Sequence, residues 1–178
     1  MEVGSAPQRA NVVLTGFMGT GKSTVGRLVA ATLRYGFVDT DRLIEERHGP
    51  IPELFATHGE DHFRRIERGI AEELGALTSL VVSTGGGLML DEVAGASLAA
   101  TGRVFCLTAG IDTIWRRVGG ARGGERRPLL AGDNPRERLE ELLAGRVERY
   151  AAFEQVVTDD RRLSDVADEI VRLVLTIS

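Results

Sequence analysis

The stretch NVVLTGFMGTGKSTVGRLVAATL, residues 11–33, decides how the chain folds. Asn11 to Thr15 is a short run rich in β-branched residues that ends in glycine, the pattern of a strand running into a turn. From Ser23 onward, Val25, Leu28, Val29 and Leu33 recur at helical spacing. Between them lies Gly16-Phe17-Met18-Gly19-Thr20-Gly21-Lys22-Ser23, which matches the phosphate-loop pattern GxxxxGK followed by Ser or Thr. The physical logic of that pattern is strict. Glycines let backbone N–H groups curl around phosphate oxygens, and the following helix presents its positive end. Lys22 neutralises charge on the β and γ phosphates, and the Ser23 hydroxyl can ligate Mg²⁺. A merely flexible glycine turn is the bland alternative, and the strand-loop-helix context argues against it.

Working outward, strands and helices alternate. Phe37-Val38 leads into Asp39 and Asp41, and a helical region from Arg42 to about Gly75 is broken at Gly49-Pro50-Ile51-Pro52 and again near Gly59. Leu80 to Ser83 and Arg103 to Leu107 read as strands separated by a helix around Asp91 to Ala100. Ile111 to Val118 reads as helix, and Gly119 to Arg127 (GGARGGERR) as a mobile surface loop. A helix from Pro135 to Tyr150, a strand near Gln155 to Thr158 and a last helix from Ser164 to Leu175 complete the order. This alternation predicts an α/β fold with a parallel sheet covered on both faces, and such sheets bind ligands beyond the carboxyl ends of their strands.

The chain has 178 residues, 43% apolar and 27% charged, enough for one sizeable core. Residues 1–10 (MEVGSAPQRA) read as a flexible tail and 11–178 as a single domain. A net charge of −4 argues against nucleic acid and anionic membrane as partners, and no apolar run approaches the ~20 residues of a membrane span. Cys106 is the only cysteine; in Val104-Phe105-Cys106-Leu107 it reads as a buried small hydrophobe in a cytoplasmic protein. The 22 basic residues are 21 arginines and one lysine, Lys22.

Three further features carry chemistry. Asp39-Thr40-Asp41 reads as the close of the second strand, where alternate side chains point to opposite sides; one carboxylate can then face a magnesium ion and the other an acceptor hydroxyl. Helix capping by Asp41 is the competing reading. Gly85-Gly86-Gly87 follows a strand and offers no side chains, which suits close approach of backbone to a ligand. Arg64, Arg127 and Arg146 take meaning only from their surroundings, because an arginine on a helix usually faces solvent.

In order and spacing, GFMGTGKSTVGRLVA (16–30), FVDTD (37–41), IPELFATHGEDHFRRIE (51–67), STGGG (83–87), RPLLAG (127–132) and Arg146 with Tyr150 resemble the shikimate kinases. The resemblance implies a three-layer P-loop kinase fold with a central five-stranded parallel sheet, substrate-binding helices in 42–76 and a mobile lid over 118–130. It implies transfer of the γ-phosphoryl group of ATP, with Mg²⁺, to the 3-hydroxyl of shikimate, in a monomeric enzyme of aromatic amino acid synthesis. Residue by residue, it assigns Gly19, Thr20, Gly21, Lys22, Ser23 and Thr24 to the ATP phosphates, and Ser23 with Asp39, through water, to the metal. Asp41, Arg64, Gly86, Gly87 and Arg146 would hold shikimate, Arg127 on the lid would reach the transferring phosphate, and Arg117, or else Arg122, would contact adenine near loop 159–162. Lys22, Asp41 and Arg127 are the expected catalytic set. Gly49-Pro50-Ile51 is one residue shorter than the family's usual G-x-S-I. Two rivals stay in view: another small-molecule kinase acting on gluconate or a nucleoside monophosphate, and a nucleotide-binding module that has lost activity.

Overall fold

The computed structural model describes residues 10–120, 130 and 134–176. Five parallel strands, β1 (Asn11–Gly16), β2 (Gly36–Asp39), β3 (Leu80–Ser83), β4 (Gly102–Thr108) and β5 (Glu154–Val157), form one sheet in the order β2-β3-β1-β4-β5. The helices are α1 (Lys22–Leu33), α2 (Thr40–His48), α3 (Ile51–His58), α4 (Glu60–Gly75), α5 (Glu92–Ala99), α6 (Ile111–Arg117), α7 (Pro135–Tyr150) and α8 (Leu163–Leu175). Among the described residues, no helix is long and apolar enough to cross a membrane.

β1 lies at the centre, in register with β3 (Val13 opposite Val82) and with β4 (Val13 opposite Val104), and all six of its residues are buried. Burial on both faces explains why Val12, Val13 and Leu14 stand side by side without polar alternation. Val12, Leu14, Phe105 and Leu107 pack on one face against Val25 and Val29 of α1 and Val166 and Ile170 of α8. Val13 and Val82 pack on the other against Ile70 and Leu74 of α4 and Leu98 of α5. Each fully buried aliphatic side chain in these layers stabilises the fold by about 1.5–3 kcal/mol relative to exposure. A third cluster, with Phe17, Cys106, Ile114, Leu130, Leu139 and Tyr150, closes the carboxyl end of the sheet. Cys106 is fully buried, and desolvation pushes its thiol up to about 11, as expected of an inert packing residue.

From β1 the chain runs through α1 to β2 at one edge, returns to β3, and then crosses past β1 to β4, so the strand order reverses at β1 and the switch-point crevice lies at its carboxyl end. The breaks anticipated between residues 42 and 75 fall at Gly49 and Gly59, which end α2 and α3. One expectation needs correction. Asp41 does not close the second strand; β2 ends at Asp39, and Asp41 sits in the first turn of α2. The capping residue is Asp39, whose carboxylate accepts from Arg42 N at 3.3 Å, so the turn into helix begins two residues earlier than alternation suggested.

Candidate active site

The loop 17–21 joins β1 to α1. Gly16, with φ 131°, brings its Cα so close to the Leu107 carbonyl of β4 that a β-carbon would overlap it, and Gly21, with φ 95°, turns the chain into α1. No side chain caps α1 and no acidic residue stands in its first turn. The first N–H groups of the helix, at Lys22, Ser23 and Thr24, therefore point into the loop as anion donors. Lys22 Nζ donates to Gly16 O and Phe17 O, both at 2.9 Å, and Thr20 Oγ1 donates to Phe17 O at 2.8 Å. The ammonium is thus held over the concavity that the backbone donors surround.

Beside the loop, Ser23 Oγ donates to Asp39 Oδ2 at 2.6 Å, and Ser83 Oγ at the end of β3 lies 3.4 Å from Ser23. Hydroxyl and carboxylate oxygens suit Mg²⁺, which takes one or two protein ligands and fills its octahedron with water and phosphate oxygens. Among the described residues there is no cluster of three His, Cys, Asp or Glu side chains that could cage a metal by themselves. The donor set therefore fits a metal delivered with a nucleotide. Ser83 was not anticipated from sequence, although its place at the carboxyl end of a central strand was a signal.

The three glycines after β3 have a different use from the one their sequence suggests. A β-carbon on Gly85 would overlap the Asp41 carboxylate, one on Gly86 would lie 3.0 Å from Arg146 Nη1, and one on Gly87 would lie 2.8 Å from Arg64 Nη1. Each glycine leaves space for one polar side chain, so the tripeptide is the floor on which Asp41, Arg146 and Arg64 converge. Thr40, fully buried, fixes that floor by accepting from Gly85 N at 2.9 Å. Asp41 keeps part of its surface in solvent, yet it is largely surrounded by protein, which disfavours its charge. Burial, and then the neighbouring Asp39 carboxylate, raise its carboxyl above the ordinary aspartate value, against a smaller opposing pull from Lys22.

Arg64 is braced by acids on its own helix. Nη1 donates to Glu67 Oε2 at 2.6 Å, and Nη2 donates to Glu60 Oε1 at 3.0 Å. Glu67 is only 2% exposed and its carboxyl is pushed up by desolvation, partly countered by Arg64. Sequence reasoning missed Glu67, although it occupies the buried stripe of α4 with Phe63, Ile70 and Leu74, where a carboxylate is out of place unless paired. Arg146 on α7 donates to Gly86 O at 3.3 Å and lies over the Phe17 ring at 5.5 Å. Tyr150, one turn later, donates to the same carbonyl at 2.6 Å.

Arg117 donates to Thr158 Oγ1 and Thr158 O, both at 2.8 Å, and reaches Gly19 O at 3.4 Å, so it ties the phosphate loop to the segment after β5. In that segment Asp159 accepts from Gly110 N at 2.8 Å, ahead of α6. Arg122 and Arg127, and all of the expected lid except residues 118–120 and 130, lie outside the described residues.

A five-stranded parallel sheet with a phosphate loop at its switch point, and an adjoining cleft lined by one carboxylate and two guanidinium groups, defines a P-loop kinase. The model of the family "Shikimate kinase" matches residues 18–175. A shikimate kinase of Caldanaerobacter subterraneus subsp. tengcongensis is 38% identical over 164 residues, which cover 91% of this chain and 94% of that one. The solved structure of the Acinetobacter baumannii shikimate kinase in complex with shikimate superposes with a TM-score of 0.85 at 33% identity, covering 95% of this chain and 94% of the other. The chain belongs to the shikimate kinase family. A gluconokinase of Sinorhizobium meliloti shares the fold at a TM-score of 0.64, covering 97% of this chain and 95% of its own, but with 19% identity the likeness extends to the fold alone.

Proposed function

We propose that this protein transfers the γ-phosphoryl group of ATP to the 3-hydroxyl of shikimate, giving shikimate 3-phosphate and ADP on the route to chorismate and the aromatic amino acids. The observation that carries the reading is the convergence of Asp41, Arg64 and Arg146 on the glycine floor beside the phosphate loop. One base and two guanidinium groups match an acceptor with a carboxylate at one end and hydroxyls at the other. A nucleotide acceptor would instead need a surface for its base.

The loop N–H groups and Lys22 receive the ATP phosphates, with Gly19, Thr20, Gly21, Ser23 and Thr24 around them. Ser23 and, through water, Asp39 would hold Mg²⁺, which would supply positive charge to offset that of the nucleotide phosphates. Arg64 and Arg146 clamp the acceptor carboxylate, while Gly86 and Gly87 let the ring approach. Asp41 accepts the proton of the attacking hydroxyl as its oxygen bonds to the γ-phosphorus, and the bond to the ADP oxygen breaks on the opposite side. Lys22 balances the charge spread over the passing phosphoryl group. We assign Arg127 the same task from the lid and Arg117 the adenine side of the nucleotide. The enzyme is read as a cytoplasmic monomer.

Coupled measurement of ADP release with shikimate, gluconate and AMP as acceptors tests the reading. Shikimate should support turnover far above the rate with water alone, and gluconate and AMP should not; release without acceptor preference would reject it. Within that assay, Arg64→Ala should raise the shikimate KM by about ten- to a hundredfold, the worth of a lost charge-assisted pair, while the ATP KM stays within about twofold. Calorimetric titrations showing the reverse pattern would move the carboxylate site elsewhere.

A further inference from the structure

Tyr150 belongs to this constellation but has no part in the phosphoryl transfer described above. It is 4% exposed and packs with Phe17, Cys106 and Leu139, where phenylalanine would fill the same space. Its hydroxyl nevertheless crosses to the glycine floor and gives Gly86 O its short hydrogen bond, 2.6 Å, while Arg146 Nη1 reaches the same oxygen only at 3.3 Å. Burial pushes the phenol up from its usual value, against the opposing charge of Arg146 and its hydrogen bonding to the phenol oxygen, so at neutral pH it remains a proton donor. Arg146 and Tyr150 are four residues apart on α7 and share a face, so both face the Gly86 peptide from one element.

A carbonyl oxygen accepts two hydrogen bonds, and a guanidinium is the stronger donor of the two present. That the neutral phenol holds the short bond and the cation the long one is the informative feature. We propose that Tyr150 is a positioning residue for Arg146: by satisfying the Gly86 carbonyl, it keeps the guanidinium donors turned toward the acceptor carboxylate and so sets the preference for an anionic acceptor. Without the hydroxyl, the part-buried carbonyl draws Arg146 onto itself, because an unpaired acceptor there is costly. Phe17, whose ring lies under the guanidinium, limits how far the arginine can otherwise drift. The proposal rests on the assignment of Arg146 to the acceptor carboxylate.

The test uses the full chain, with saturating ATP and Mg²⁺, and two acceptors, shikimate and its uncharged carboxamide. Tyr150→Phe should raise the shikimate KM about five- to tenfold, with kcat and the ATP KM each within about twofold of the parent, as loss of one hydrogen bond acting through a charged group predicts. The carboxamide KM should change by less than about twofold, so discrimination between the two acceptors falls by nearly the full factor. In an Arg146→Lys background the same Tyr150→Phe change should add little. Equal KM increases for both acceptors, a fall confined to kcat, or full additivity with Arg146→Lys would each overturn the proposal. If the parent protein fails to phosphorylate shikimate, the functional reading fails instead, and the two results are distinct.

Discussion

Lys22→Met should lower kcat by about a thousandfold or more, while thermal unfolding shows a protein that remains folded. The size follows from where the ammonium sits. It is held over the phosphate loop by two carbonyls at 2.9 Å, in a concavity lined by backbone donors. A methionine keeps the length of the side chain but has no charge to offer as the phosphoryl group passes. The structural cost is small, about 1 kcal/mol, because Lys22 is part-exposed and Phe17 O retains the Thr20 hydroxyl as donor. Steady-state kinetics with a melting curve checks both halves, and normal turnover in the variant would remove Lys22 from the mechanism. Lysine is otherwise absent from a chain with 21 arginines. A compact ammonium fits a glycine-lined loop that a broad guanidinium would fill badly.

Asp41→Asn should lower kcat by about a hundred- to ten-thousandfold, the usual worth of a general base. The amide keeps the volume that Gly85 accommodates, so the loss would come from proton transfer and not from a collapsed floor. The pH dependence gives a second reading. Asp41 must be ionised to accept a proton, and burial together with Asp39 raises its carboxyl above the ordinary value. Activity should therefore be lost as pH falls through that raised value, higher than for a solvated aspartate. The acid limb of kcat/KM assigned to Asp41 should vanish in the Asn variant, even though buried Glu67 also titrates high. An unchanged limb in the variant would assign the proton to another group.

Much of the architecture was legible because local and global signals agreed. The buried run of β1, the glycine pattern after it and the helical spacing beyond Ser23 all favour one strand-loop-helix unit, and the structure has it. Gly49 and Gly59 marked helix ends for the same reason. Where signals competed, the reading slipped. Asp39-Thr40-Asp41 looked like the alternating end of a strand, but Asp39 can accept from Arg42 N, and that local bond starts the helix before Asp41 is reached. Asp39 and Asp41 still face different partners, Ser23 and the Gly85 floor, through a helix turn instead of strand alternation.

Asp41, Arg64, Gly86, Gly87 and Arg146 could be named from the sequence as candidates, but their arrangement could not. Three glycines in a row announced a close approach, yet one chain of letters could not say that the approaching groups were the protein's own Asp41, Arg146 and Arg64. Glu67 escaped notice because a charge in a helix is normally read as solvated; only its register with Phe63, Ile70 and Leu74 betrays burial. Arg117 was one of two arginines named for the adenine side, and its bonds to Thr158 and Gly19 put it between the phosphate loop and the segment after β5. Arg122, the other, and Arg127 lie outside the described residues.

One phosphoryl group should pass from ATP to a single hydroxyl of shikimate. Phosphorus NMR of a reaction containing the protein, ATP, Mg²⁺ and shikimate reads this directly. The γ-phosphate signal of ATP should decline as one new phosphomonoester signal grows in equal amount with ADP, coupled to the proton on carbon 3 of the ring. Inorganic phosphate as the growing species, or an ester on a different hydroxyl, would contradict it.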